Sequence, residues 1–231
     1  MNMTSVLNEF ICKYCSKAFR KESTLAAHLC EPKRRAQQEH DPAVKIGYQA
    51  YLQFYTMTQG SSKLKSYADF AASPYYSAFV KFGNHIKSIN AIAPSKFIDW
   101  VIKQNKKLDH WCHDKVYAEY LTQHLQHEPA QDALTRTIQI AQDWAEQNGS
   151  QFNHMFNYGN SNKLCYLITQ GRITAWTIYN CNSGIHFLDN LSDEQTSIVF
   201  PWIDPKYWQK RFQEHSAEVE WCRQMLTTAG F

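Results

Sequence analysis

Residues 10–35 read FICKYCSKAFRKESTLAAHLCEPKRR, and within them Cys12, Cys15, His28 and Cys30 are the side chains with metal-ligating chemistry. The order is Cys-x2-Cys-x3-Phe-x5-Leu-x2-His, carried by Cys12, Cys15, Phe19, Leu25 and His28. Two thiolates on a tight knuckle and an imidazole on the following helix can converge on one Zn²⁺. Phe10, Phe19 and Leu25 supply the small core of such a ββα zinc finger. A unit of about 25 residues buries too little apolar surface to fold alone. The metal must therefore contribute most of its stability, of the order of 10–16 kcal/mol.

The fourth ligand departs from the common spacing. A second His is expected three to five residues after the first, whereas here Cys30 follows at His-x-Cys. Side chains two apart on an α-helix diverge by about 200°. Cys30 reaches the same ion only if the helix unwinds just after His28, which Pro32 favours by disfavouring continuation. The expected ligand set is Cys12, Cys15, His28 and Cys30, a C2HC-type site, with His40 as the reserve ligand. The bland alternative is three thiols on a surface hairpin.

Basic side chains follow the ligands. Lys17, Arg20, Lys21, Lys33, Arg34 and Arg35 stand where a finger grips phosphates. The helix positions that reach bases would be Lys21, Thr24 and Ala27. Ala27 offers no hydrogen bond and one finger spans only about three base pairs, so this finger cannot specify a site. It grips phosphates or docks a protein.

The elements that must position these residues follow from length and pattern. The chain has 231 residues, 44% hydrophobic and 14% aromatic, which suits one or two folded domains beside the finger. No apolar run reaches membrane-spanning length, and MNMTSVLNEF lacks the charged start and apolar core of a secretory leader. The expectation is a soluble protein of the cytoplasm. Seven Cys, four of them scattered at Cys112, Cys165, Cys181 and Cys222, read as reduced thiols.

Asp41-Pro42 opens a helix in which Val44, Tyr48, Tyr51 and Tyr55 keep helical spacing, an aromatic stripe better suited to a core than to base stacking. GSSKLKS (60–66) is a basic loop. Further helices are expected from Ser73-Pro74, with Tyr75, Phe79, Phe82 and Ile86 in register, from Pro94, from about Lys107 and from Pro129. The last of these ends at Gly149. Segment 164–180 suits either a β-hairpin or two short buried helices. Ser192 opens a capping box, and Asp204-Pro205 starts another helix. A final helix over 217–228 would turn Val219, Cys222, Met225 and Leu226 inward. The fold class is mainly α, divided as 1–36 (finger with basic tail), 37–128 (basic lobe) and 129–231 (acidic lobe).

Charge follows that division. Residues 1–36 hold seven Lys/Arg against three acids, 37–128 ten against eight, and 129–231 seven against ten. Lys87, Lys103, Lys106 and Lys107 fall in a stretch whose only acid is Asp99. A basic front beside a finger points to a polyanion, although a Lys-rich face can equally be mere solvated surface. No catalytic signature is present. The eight glycines form no phosphate loop, and Asp109-His110-Trp111-Cys112-His113-Asp114 has no partner motif to complete a metal or catalytic site. The chain reads as non-enzymatic.

Several segments resemble a family. The finger followed by SPYYSAFVKF and FIDWVIKQNKKLDHW looks like finger-bearing proteins of large T-even-type tailed phages. The helical part, over about 44–226, resembles the helicase-loading protein of those phages. The similarity runs through GYQAYLQFYTM, YYSAFVKF, FIDWVIKQNKKLDHW and VYAEYL, then ITAWTIYNC, GIHFLDNL and IDPKYW. The resemblance implies a two-lobed all-α fold and favours helices at 164–180. It also implies a DNA-binding front lobe and a rear lobe that contacts the replicative helicase and the single-strand-binding protein. It carries no catalytic residues, and the loader lacks the finger. The expected function is an accessory protein of phage DNA replication or recombination that binds forked or branched DNA and recruits a helicase. The competing expectations are a phage transcription or translation regulator, a nuclease, and a virion or assembly component.

Overall fold

Helix-start chemistry places most of the chain. In a computed structural model describing residues 10–60 and 65–231, the Asp41 carboxylate accepts hydrogen bonds from the Ala43 and Val44 amides at 2.8 and 3.3 Å. Ser66 and Ser192 each form a reciprocal capping box, and Asn160 and Asp204 cap with one bond each. Residues 1–9 of the N-terminal segment read above as leaderless lie outside the described residues, as do residues 61–64 of the basic loop.

The chain is mainly α, in two units, 1–117 and 118–231. The first holds a two-stranded antiparallel sheet, β1 (Phe10–Ile11) and β2 (Ala18–Phe19), in the register Phe10 to Phe19 and Ile11 to Ala18. Helices α1 (Glu22–Ala27), α2 (Glu31–Gln37), α3 (Pro42–Gln59), α4 (Tyr67–Ala72), α5 (Tyr76–Ser88) and α6 (Pro94–Lys103) follow. A 3-10 turn at Leu108–His110 precedes α7 (Asp114–His127), in which the division between units falls. The helix expected from Lys107 therefore starts later, after that turn.

α3 and α5 pack with their backbones nearly touching. A Cβ at Gly83 would lie 2.0 Å from the Ala43 carbonyl, and one at Gly47 would lie 2.6 Å from that of Phe79. The expected aromatic stripe forms the core. Tyr51 meets Phe70 and Phe79, and fully buried Trp111 is ringed by Phe54, Phe79 and Phe82. Tyr75, expected inward, is exposed; its neighbour Tyr76 takes the buried position and packs on Phe70.

The second unit is built on α8 (Ala130–Asn148), which buries Ala133, Leu134, Thr137, Ala141 and Trp144 and ends on left-handed Gly149. Short helices α9 (Met155–Tyr158), α10 (Ser161–Thr169), α11 (Ala175–Ile178) and α12 (Asn182–Asp189) follow. Then come α13 (Asp193–Ile203), α14 (Pro205–Glu214) and α15 (Ser216–Thr228). Segment 164–180 is thus helical. Ile173 to Ile178 are buried throughout, and their strand preference gives way to the tertiary context here. Pro201 lies inside α13 near its end. On α15, Val219, Cys222 and Leu226 face the core at i, i+3 and i+7. Met225, expected inward, stands about 100° aside from Leu226 and is 42% exposed. Among the described residues no helix is long and apolar enough to cross a membrane.

Candidate metal centre and basic surface

The knuckle forms because the chain reverses between β1 and β2. The Cys12 amide donates to the Lys17 carbonyl at 2.9 Å and the Ser16 amide to the Cys12 carbonyl at 2.8 Å, with Ser16 left-handed at φ 58°. This turn presents the Cys12 and Cys15 thiols together. α1 ends at Ala27, one residue before the break expected from the sequence, and His28 is extended (φ −70°, ψ 121°). Cys30 is extended as well (φ −88°, ψ 162°) and is the N-cap of α2. In extended backbone, side chains two apart point the same way and the one between points away. This reconciles His-x-Cys with a single ion. His28 and Cys30 turn inward, and Leu29 between them is 62% exposed. Pro32 acts differently from expectation: it sits in the first turn of α2 and begins a helix rather than ending α1.

The four ligand atoms all lie within 4.8 Å of one another. Around a tetrahedral ion with sulfur bonds of about 2.3 Å and nitrogen bonds of about 2.0 Å, sulfurs stand about 3.8 Å apart and sulfur to nitrogen about 3.5 Å. The Cys12 and Cys30 Sγ atoms are 3.9 Å apart, and Cys15 Sγ is 3.3 Å from His28 Nε2. The residues present fit one tetrahedral metal ion. The Tyr14 amide, opposed by burial and aided by the Cys15 amide, lowers the Cys12 pKa to about 7 from 9.0. At neutral pH Cys12 is therefore poised to bind as thiolate. For Cys15 the Lys17 amide pulls downward, but burial and the neighbouring Cys30 and Cys12 thiols outweigh it and the net shift is upward.

His40 is exposed before α3 and does not join the cluster. His110 and His113 stack with ring centroids 5.0 Å apart, and His110 Nε2 is 3.9 Å from Asp109. No third ligand joins them, and among the described residues the finger cluster is the one such group.

The basic side chains divide into two kinds. Lys17, Arg20, Lys21 and Arg34 are exposed, as are Lys87, Lys103 and Lys107, although Lys17 Nζ also lies 5.7 Å over the Phe19 ring. Lys33, Arg35 and Lys106 are engaged within the chain. Lys33 Nζ donates to the His28 carbonyl at 2.9 Å, capping the end of α1. The Arg35 guanidinium donates to the Ala71 carbonyl at 2.7 Å, pairs with Glu31 and lies 4.6 Å over the Tyr76 ring. The Tyr67 hydroxyl in turn donates to the Arg35 carbonyl at 2.6 Å. Lys106 Nζ sits 5.7 Å over the Trp100 ring. The sequence reading missed that Arg35 anchors α2 to α4. The Glu31 to Arg35 spacing of i, i+4 was the available signal, whereas Tyr67 and Tyr76 come from distant positions.

The unit boundary sharpens the charge division. Residues 1–117 carry 17 Lys/Arg against 9 acids, a balance of +8, and residues 118–231 carry 7 against 12, or −5. No family model, curated protein or solved structure matches this chain.

Proposed function

We propose that this chain is a non-catalytic, zinc-bearing accessory protein of phage DNA replication or recombination, which holds forked or branched DNA and recruits a helicase. The observation that carries the reading is the charge division, +8 in the unit bearing the finger and −5 in the other. A basic unit attracts a polyanion through its phosphates, and the opposite balance in the second unit suits a protein partner rather than DNA. Three thiolates and an imidazole at these separations are the ligand set of structural zinc, with no open position for a substrate. The ion would hold Cys30, the N-cap of α2, and so align the finger's exposed Lys17, Arg20 and Lys21. The resemblance of the helical segments to the phage helicase loader supplies the choice of forked DNA, the replicative helicase and the single-strand-binding protein.

Fluorescence anisotropy with forked, linear duplex and single-stranded DNA and with RNA, at two salt concentrations, tests the reading. The expected result is preference for the fork. Affinity should fall of the order of 10²–10³-fold between 50 and 200 mM salt, for roughly five phosphate contacts. Equal binding to fork and linear duplex, or no binding, contradicts it.

A second reading, in which the finger docks a protein, is favoured by Ile11 and Leu29, exposed at 60% and 62% on the finger. Substitution Leu29→Ser separates the two. It leaves DNA affinity unchanged on the first reading, and it abolishes partner capture on the second.

A further inference from the structure

The second unit carries an apolar groove. Ile185 and Leu188 of α12, Leu191 after it, and Phe200 and Ile203 of α13 line a hollow of about 280 Å³. A second hollow of about 290 Å³ lies against Trp208 and Phe212 of α14, and Tyr179 and Pro205 belong to the walls of both. The shared wall is fixed in place, because the Tyr179 hydroxyl donates to the Ile203 carbonyl at 2.6 Å. Ile185 is 43% and Phe200 49% exposed, and a continuous apolar patch rimmed by polar groups marks a binding surface.

The rim is acidic. Asp189 lines the first hollow. Asp193 begins α13 three positions before Thr196, which together with Phe200 faces the same hollow. Asp204 stands between Ile203 and Pro205, and its charge adds to burial in opposing ionisation of Tyr179. The cations lie along α14: Lys206, exposed after Pro205, Lys210 beside Gln209 of the second hollow, and Arg211, which lies over the Trp176 ring. The acidic rim of the first hollow repels nucleic acid. It also disfavours a two-fold pairing of the groove with the same acidic face of another copy.

We infer that this groove docks an amphipathic segment of a partner protein, with one large apolar side chain seated in each hollow and lysine or arginine beside the one in the first. The inference names the chemistry of the recruited partner and rests on the proposed function only for the existence of recruitment. Two preformed hollows separated by a fixed wall suit anchors on successive turns of one helix, the groove mode of helix recognition.

Display of random peptides, about 16 residues long, against the full chain tests this, since that length spans several helical turns. Phe200→Ala, Ile185→Ser and Asp189→Lys alter exposed side chains, and thermal melting of each variant checks that its fold is intact. The expected peptides combine Leu, Phe or Trp with Lys or Arg. They lose at least about tenfold in affinity on Phe200→Ala, as for an anchor-pocket residue, and weaken on Asp189→Lys. Enrichment of no peptide or of acidic peptides overturns the inference, and so does affinity unchanged by Phe200→Ala. Self-association abolished by Phe200→Ala also overturns it, because the occupant is then a second copy. A wild-type chain that yields the expected peptides yet binds no forked DNA upholds the groove and overturns the DNA reading.

Discussion

At the scale of single residues, the basic run after the finger separates into structural and available cations. Arg35 donates to the Ala71 carbonyl, pairs with Glu31 and covers Tyr76, whereas Arg34 beside it is exposed. Arg35→Ala removes a donor from partly buried carbonyls and is expected to cost about 1–3 kcal/mol in urea unfolding. Arg34→Ala is expected to stay within about 0.5 kcal/mol. The second unit has its own residue-scale signature in alkali. Burial pushes Tyr179 up to about 12 from 10.0, and burial with the Glu218 charge pushes Cys222 up to about 11 from 9.0. Both folded-state values lie above the unfolded ones, so the stabilisation is complete below about pH 9 and is lost as pH rises through 11 to 12. Unfolding midpoints measured from pH 8 to 12 should fall across that window. Phe substituted for Tyr179 should flatten part of the fall. The ligand types were legible from spacing alone, because a metal site is a local pattern. The role of Arg35 was not, because its partners come from α4 and α5.

At the scale of elements, the tight crossing of α3 and α5 decides the first unit. Gly83 has no room for a Cβ against the Ala43 carbonyl, and a backbone contact cannot move aside as a side chain can. Gly83→Ala is expected to destabilise by about 1–3 kcal/mol or more, read as a lowered melting temperature. Capping chemistry made the starts of α3, α13 and α14 legible, since Asp41, Ser192 and Asp204 accept the bonds their positions suggest. α4 was illegible as a six-residue helix, too short for a periodic signal, and it is held by the Ser66 capping box and Phe70 in the aromatic core. Segment 164–180 stayed ambiguous because its β-branched and aromatic residues suit a strand. Ile173 to Ile178 are buried throughout, and periodicity cannot tell a short buried strand from a short buried helix. At His28–Cys30 the reverse holds. A departure from helical spacing signalled a break, and the extended backbone there shows how the break serves the ligands.

At the scale of the whole molecule, composition hides the organisation: a net charge of +3 resolves into +8 and −5 only when the chain is divided at its structural boundary. The gradient was legible in the sequence and the boundary was not, because it falls inside the continuous helix α7. If the first unit carries the nucleic-acid surface, reversing Lys103 and Lys107 to Glu should weaken forked DNA binding by about tenfold or more at low salt and reduce the salt slope. Reversing Lys163 and Lys210 of the second unit should change it less than about twofold, as expected for charges away from the phosphates. Anisotropy titrations of the two double variants against wild type check the difference.

The finger that begins the basic unit depends on the cluster at Cys12, Cys15, His28 and Cys30. X-ray absorption at the zinc edge of the purified chain tests it most directly. The expected spectrum has three sulfurs at about 2.3 Å and one nitrogen at about 2.0 Å around a single ion. A chain that carries no zinc, or a shell dominated by oxygen or by two nitrogens, contradicts it.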